Sequence, residues 1–256
     1  LLEATHFMER NGLNPRSLTL YGQERNLNTW AICKMSLFLH DIDDAFIERG
    51  DTLLDPKHLA SDKTVKRFDL VLANPPFSLK AWGQEVWKKG DPYSRDTYGC
   101  PPKSYGDLAF VQHMVASLKS DGRMAVVLPH GVLFRGGAEG KIRKGLLEDD
   151  LIEAVVGLGQ NLFYGTGIPA CLWFLAKDRA NGRFRDRRGE LLFIDARKLG
   201  RMDTRVHRVL DHADVASIAS TYHAWRIEGG EYKDVAGFCK SATTEEVMTN
   251  ECVLTP

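Results

Sequence analysis

Paired cysteines are missing from this sequence. Its five cysteines, Cys33, Cys100, Cys171, Cys239 and Cys252, are far apart, odd in number and contain no Cys-x-x-Cys. That argues against a disulfide framework and a thiolate zinc site, and it fits a reducing cytoplasm. No apolar run reaches the roughly 18 residues that span a bilayer. The opening Leu-Leu-Glu-Ala-Thr-His lacks the charged-then-apolar layout of a signal peptide, so no membrane partner is expected. Neither sign of charge is in surplus, with 34 Lys/Arg against 34 Asp/Glu in 256 residues. A balanced chain does not grip a nucleic-acid backbone with its whole surface, although a local patch or a partner can supply the grip. His113, His130 and His207 have no metal-ligand spacing. Ser78 and Ser104 have no evident His/Asp partners, which leaves serine hydrolysis without support. Gly136, Gly137 and Gly140 are not spaced as Gly-x-Gly-x-x-Gly and follow no strand directly, so close packing or a mobile loop explains them better than a phosphate cradle.

What is present suits a sizeable core: 43% of residues are apolar and 27% charged. One large domain, or a domain with an appendage, is expected. Residues 1–12 read as a helix stopped by Gly12. Residues 17–22 (SLTLYG) alternate like a strand, and residues 26–41 read as a mostly buried helix. Residues 68–73 (FDLVLA) suit a strand buried on both faces of a parallel sheet. Residues 78–105 show no period and hold Trp82, Trp87, Tyr93, Tyr98 and Tyr105 among prolines, as a functional loop would. A helix at 108–118, a strand at 123–128, a helix at 140–147 and a strand at 151–158 follow. The strand at 168–176 comes too soon for a helical crossover, so these last two strands predict an antiparallel hairpin. A strand at 191–195 and a helix at 212–226 complete the pattern. Together they predict an α/β, Rossmann-like fold with a mostly parallel sheet and an antiparallel hairpin at its edge.

Arginine is concentrated locally. Residues 179–208 hold ten Lys/Arg and four Asp/Glu, a surplus of +6. This segment reads either as a solvated surface or as a contact for nucleic acid or an acidic partner.

The sharpest chemical signal is Asn74-Pro75-Pro76-Phe77, directly after the 68–73 strand. In an open α/β sheet, ligands sit outside the carboxyl ends of strands. The prolines stiffen the turn and remove two backbone donors, which leaves carbonyls free to accept. The Asn74 side chain adds another carbonyl acceptor. Two converging acceptors suit an amino group, whose lone pair then faces an electrophile. Phe77 offers a flat face to a heterocycle.

This stretch resembles the (Asn/Asp/Ser)-Pro-Pro-(Tyr/Phe/Trp) motif of S-adenosylmethionine-dependent amino-group methyltransferases. Tyr21-Gly22-Gln23-Glu24 is similar to the acidic strand end that binds the cofactor ribose there, and Gly50-Asp51-Thr52-Leu53 to the loop that contacts the cofactor adenine. YGDLAF at 105–110, LPHGVLFRGGAEG at 128–140 and NLFYGTGIPA at 161–170 follow in order. Together they resemble the modification (methyltransferase) subunit of type I restriction–modification systems, over nearly the whole chain. The resemblance implies methyl transfer from S-adenosyl-L-methionine to the N6 amino group of adenine in DNA. It implies a specificity subunit as partner, a second modification subunit and a restriction subunit. It assigns catalysis to Asn74, Pro75, Pro76 and Phe77, cofactor binding to Glu24, Asp51 and Asn74, and the target base to Phe77 and Phe163. It also sets the family's glycine-rich cofactor loop and N-terminal helical domain before Leu1, so weak cofactor binding is expected of this stretch alone. Residues 1–196 would form the catalytic domain, and 197–256 a helical tail that docks a partner.

Each residue also has a plain structural reading. Glu24 can be a surface carboxylate, Asp51 a turn residue, Phe163 core packing, and the 212–226 helix a cover for its own domain. Two alternatives keep the fold: an RNA or protein-amide methyltransferase, and a catalytically incomplete assembly module.

Overall fold

In a computed structural model that describes residues 1–256, the chain divides after Lys66 into two units, Leu1–Lys66 and Arg67–Pro256. The first unit begins with helix α1 (Leu2–Arg10), which ends where Gly12 turns with φ +68°. Pro15–Ser17 form a 3-10 turn, capped by the Asn14 side chain on Arg16 N–H at 3.0 Å. The strand expected at 17–22 therefore starts later, as β1 (Tyr21–Glu24). Helix α2 (Leu27–Leu39) starts on Asn26, whose Oδ1 accepts from the N–H groups of Asn28 and Thr29. Strand β2 (Phe46–Arg49) pairs with β1 in parallel. The helix is not the mostly buried one expected. Leu37 is buried, but Ile32, Met35, Phe38 and Leu39 are 59–72% exposed. A two-stranded sheet covers only one stripe of a helix that is apolar nearly all round.

The second unit is a six-stranded mixed sheet with helices on both faces. Its strands are β3 (Phe68–Ala73), β4 (Leu118–Pro129), β5 (Ile152–Leu158), β6 (Ala170–Ala176), β7 (Glu190–Ala196) and, after the short β8 (Arg201–Met202) and β9 (Arg208–Val209), β10 (Cys239–Thr243). The order is β10-β7-β5-β6-β4-β3. β3, β4, β5 and β7 share one direction, and β6 and β10 oppose it. The predicted hairpin is β5–β6, but it does not form the edge. β6 inserts between β5 and β4, where its apolar run is buried from both sides, and the antiparallel edge strand is β10. β3 is the opposite edge. Leu70 and Leu72 are 57% and 59% exposed, so the expectation of burial on both faces fails there; only Val71 and Ala73 pack on the core.

Helices α4 (Asp107–Ala116) and α5 (Gly137–Glu148) cover one face. Leu108, Val111, Ile142 and Leu146 meet Val126, Val155 and Trp173. Helix α6 (His212–Arg226) covers the other face through Ile218, Tyr222 and Trp225, over Val156, Leu192 and Ile194. The boundary expected at 196/197 therefore separates nothing compact. The tail returns to the sheet as β10 and α7 (Thr244–Thr249), buries Cys252 and Leu254, and bonds Leu254 N–H to the Leu133 carbonyl at 2.9 Å. Residues 78–105 are irregular apart from the single turn α3 (Gln84–Trp87), yet they are packed. Trp82 and Trp87 are buried edge-to-face at 5.4 Å, with Trp82 Nε1 bonded to the Pro102 carbonyl.

Candidate active site

β3 ends at Ala73, paired with Val126 of β4, and Asn74-Pro75-Pro76-Phe77 leaves its carboxyl end. Pro75 is buried, Phe77 half-buried, and Asn74 exposed. The motif is held from behind. Ser78, at φ +52°, donates its N–H to Asp107 Oδ1 at 2.7 Å, and Gly106 N–H bonds the Leu79 carbonyl at 3.1 Å. Gly106 has to be glycine, since a Cβ there would meet Trp82 Cγ at 2.9 Å. Sequence reasoning missed Asp107. The signal was an acid opening the first turn of an otherwise apolar helix, a position that usually faces water.

Asp107 is fully buried, and its Oδ2 meets no hydrogen-bond donor. The Arg135 guanidinium stands 3.9 Å from that oxygen, 3.5 Å from Glu139 and 3.9 Å over the Tyr105 ring. Burial pushes both carboxyls up. The Ser78 N–H and Arg135 oppose it at Asp107, and Arg135 opposes it at Glu139.

The loop between β5 and β6 brings Phe163 to Phe77, with ring centres 5.9 Å apart and planes at 79°. Two rings 86 positions apart in the chain thus meet. They meet edge-to-face at 5.9 Å, so a base between them requires one ring to turn and the two to part.

Glu24 and Asp51 lie in the first unit, at the carboxyl ends of neighbouring parallel strands. Gly50 N–H bonds the Glu24 carbonyl at 3.1 Å. Glu24 Oε1 accepts Asn26 N–H at 2.6 Å. Asp51 Oδ1 caps the N–H groups of Leu53 and Leu54, and Oδ2 pairs with the exposed Arg25 at 3.1 Å. Asp51 is therefore a turn residue in this structure. Accepting a ligand would displace Arg25.

Two cations of the 179–208 surplus meet carboxylates outside the segment. Arg179 and Arg187 are buried, on Asp150 and Glu153 respectively; Glu153 also accepts from Tyr222 Oη at 2.8 Å. Arg185, Arg188 and Arg197 pair with Glu190, Asp186 and Asp195. Gly137 takes φ +63° in entering α5, which accounts for that glycine without a ligand.

The family model described as N-6 DNA Methylase matches residues 1–256. The methylase subunit of the type I restriction enzyme HindI from Haemophilus influenzae is 40% identical over 257 residues, covering 100% of this chain and 55% of that protein. The MjaVIII methylase subunit of Methanocaldococcus jannaschii is 36% identical, covering 94% and 40%. The crystal structure of the type I restriction-modification methyltransferase subunit from Streptococcus thermophilus matches with a TM-score of 0.81 at 35% identity, covering 94% of this chain and 48% of that one. The EcoKI M protein shares the fold, with a TM-score of 0.67 at 21% identity over 92% of this chain and 52% of that one. The chain spans about half the length of these relatives. The match over every residue, and over the strand end that carries Asn74 to Phe77, establishes that the chain belongs to the N-6 DNA methylase family.

Proposed function

We propose that this chain is the catalytic part of a type I restriction–modification methylase subunit, and that it methylates the N6 amino group of adenine in DNA using S-adenosyl-L-methionine. One observation carries the reading: in a chain of this family, Asn74-Pro75-Pro76-Phe77 leaves the carboxyl end of β3 with the Phe163 ring against Phe77.

The residues fit an amino-group acceptor. Asn74 Oδ1 and the Pro75 carbonyl accept the two amino hydrogens of adenine, which turns the nitrogen lone pair outward. Phe77 and Phe163 hold the base by its faces, worth roughly 1–3 kcal/mol per stacked base. That offsets part of the few kcal/mol, roughly, that extrusion from a duplex costs. Extrusion is required, since the amino nitrogen of a stacked, paired adenine cannot reach a buried donor. Asp107 fixes the turn after Phe77 through Ser78 N–H. Glu24, with one oxygen on Asn26 N–H, leaves the other for a ribose diol, and Asp51 would take the cofactor adenine in place of Arg25. The cofactor supplies a methyl on a positively charged sulfur, a leaving group that needs no covalent enzyme intermediate. DNA is read by a specificity subunit docked on residues 197–256, in a complex with a second methylase subunit and a restriction subunit.

The test is methyl transfer from labelled S-adenosylmethionine to unmethylated DNA by the full-length subunit with its specificity subunit. Label in N6-methyladenine is expected, and Asn74→Ala should lower the rate by about 10²–10³, as loss of one preorganised polar partner does. Label in RNA or protein alone would replace DNA as the substrate. Near-wild-type turnover by Asn74→Ala would remove the mechanism.

A further inference from the structure

Phe163 and Tyr164 are neighbours in one tight turn. Thr166 N–H returns to the Phe163 carbonyl at 3.4 Å, and Gly165 takes φ +112°. The two rings leave this turn toward different partners. Phe163 meets Phe77 of the catalytic motif. Tyr164 lies flat on His207, with ring centres 4.0 Å apart and planes within 16°. His207 is buried beneath it, with Nδ1 on no hydrogen-bond partner, so the imidazole serves through its face. Tyr164 itself is 82% exposed, more than any other large apolar side chain of the fold.

The support under this ring is tied down by hydrogen bonds. His207 closes the β8–β9 hairpin. Its carbonyl accepts from Asp203 N–H at 2.9 Å, and its N–H donates to Thr204 Oγ1 at 3.0 Å. Arg208 N–H bonds the Asn161 carbonyl at 2.8 Å, which ties that hairpin to the Phe163 turn. The hairpin and its approach also carry three exposed cations of the basic segment, Lys198, Arg201 and Arg205. Of these, Arg201 pairs with Asp203 at 3.4 Å. A flat ring stacked on one face and open on the other, among cations, presents the surface on which an unpaired nucleobase stacks.

We infer that the Tyr164–His207 stack is a second nucleobase platform, one residue away from the catalytic aromatic. It receives a base of the same duplex that loses its neighbour when adenine is drawn to Phe77 and Phe163. That base is either the orphaned partner or the flanking base in the target strand. The inference rests on the proposed DNA substrate.

The test uses the full-length subunit assembled with its specificity subunit. Duplexes of the recognition site carry 2-aminopurine beside the target adenine, or a fluorescent thymine analogue opposite it. With the wild-type complex, the probe at one of these positions stays stacked and dim; which one tells the orphan from the flanking base. Tyr164→Leu, which still covers His207 but has no ring face, should brighten that probe. It should raise the KM for DNA by about 5- to 150-fold, the fold-change equivalent of roughly 1–3 kcal/mol of base–aromatic stacking, with kcat moving far less. Tyr164→Phe should keep the probe dim. A Tyr164→Leu complex with wild-type KM and a dim probe overturns the platform, because covering His207 is then the ring's whole role. A wild-type complex that methylates no DNA removes the substrate reading itself, and the platform falls with it.

Discussion

Asp107 is buried with one oxygen on Ser78 N–H and the other on no donor. What matters at this residue is the acceptor, since a charge without a full set of donors is costly to bury. Asp107→Asn keeps an acceptor for Ser78, so turnover should stay near wild type and stability should not fall below it. Asp107→Ala strands the N–H, which costs roughly 1–3 kcal/mol, and frees the turn behind Phe77, with up to about 10²-fold lower kcat from misplacement. Equal melting temperatures and turnover for the two variants would contradict this. The sign of the pH dependence follows from burial. Folding raises the Asp107 carboxyl above its unfolded value near pH 4. Its contribution is fully favourable below that value and is lost as pH rises through the folded value. Urea unfolding at a series of pH values should show Asp107→Asn relieved of that loss.

At the scale of elements, the stretch at 78–105 shows how a segment without a period can still be rigid. Arg95 forms a bidentate pair with Asp91, at 2.8 and 2.7 Å, with both side chains out of contact with water. Burial would push the Asp91 carboxyl up. The Arg95 side-chain and backbone bonds outweigh it, and the net shift is downward. The stability it contributes is therefore present above the unfolded value near pH 4 and is lost as pH falls through the folded one. Asp91→Asn should cost about 3–5 kcal/mol at neutral pH, because it removes the carboxylate charge from beside a buried guanidinium, and should flatten the acid limb of the stability curve. A neutral-pH stability equal to wild type would contradict it.

The tail makes the same point. β10 pairs along β7 from Cys239–Ile194 to Thr243–Glu190. Ending the chain at residue 238 uncovers that edge and removes Cys252 and Leu254 from the core, so loss of cooperative melting is expected in circular dichroism. Docking of a specificity subunit is better tested by Val206→Asp with Val215→Asp, two side chains 76% and 51% exposed, than by deletion.

For the molecule as a whole, the uneven burial of the first unit stands out. Ile32, Met35, Phe38 and Leu39 leave a patch of large apolar side chains on α2, of the kind that drives association. The 256-residue chain by itself should bind a hydrophobic dye and self-associate in sedimentation runs. Phe38→Glu with Leu39→Lys should reduce both without lowering the melting temperature. Unaltered association would place the driving surface elsewhere. The charge balance is also a whole-molecule property, and here the segment 179–208 misleads. Asp150 and Glu153, outside the segment, take Arg179 and Arg187, so its free surplus is smaller than its net count, and only pairing in space reveals that.

The sequence by itself determined what is local. The helix over His212–Arg226, the β5–β6 hairpin and the strand end that carries Asn74 to Phe77 follow from periodicity, short spacing and proline stereochemistry. Those preferences act within a few residues, and the family motifs lie in the same short strings. Tertiary structure alone decided which strand lies at an edge, that β6 enters the middle of the sheet, and that the polar stretch Cys239–Thr243 becomes a strand beside β7. It also set Phe163 against Phe77, gave Ser78 its partner in Asp107, and laid Tyr164 on His207. Burial and pairing between distant residues depend on which surfaces meet, and a linear pattern of apolar and polar residues does not encode that choice at any one position.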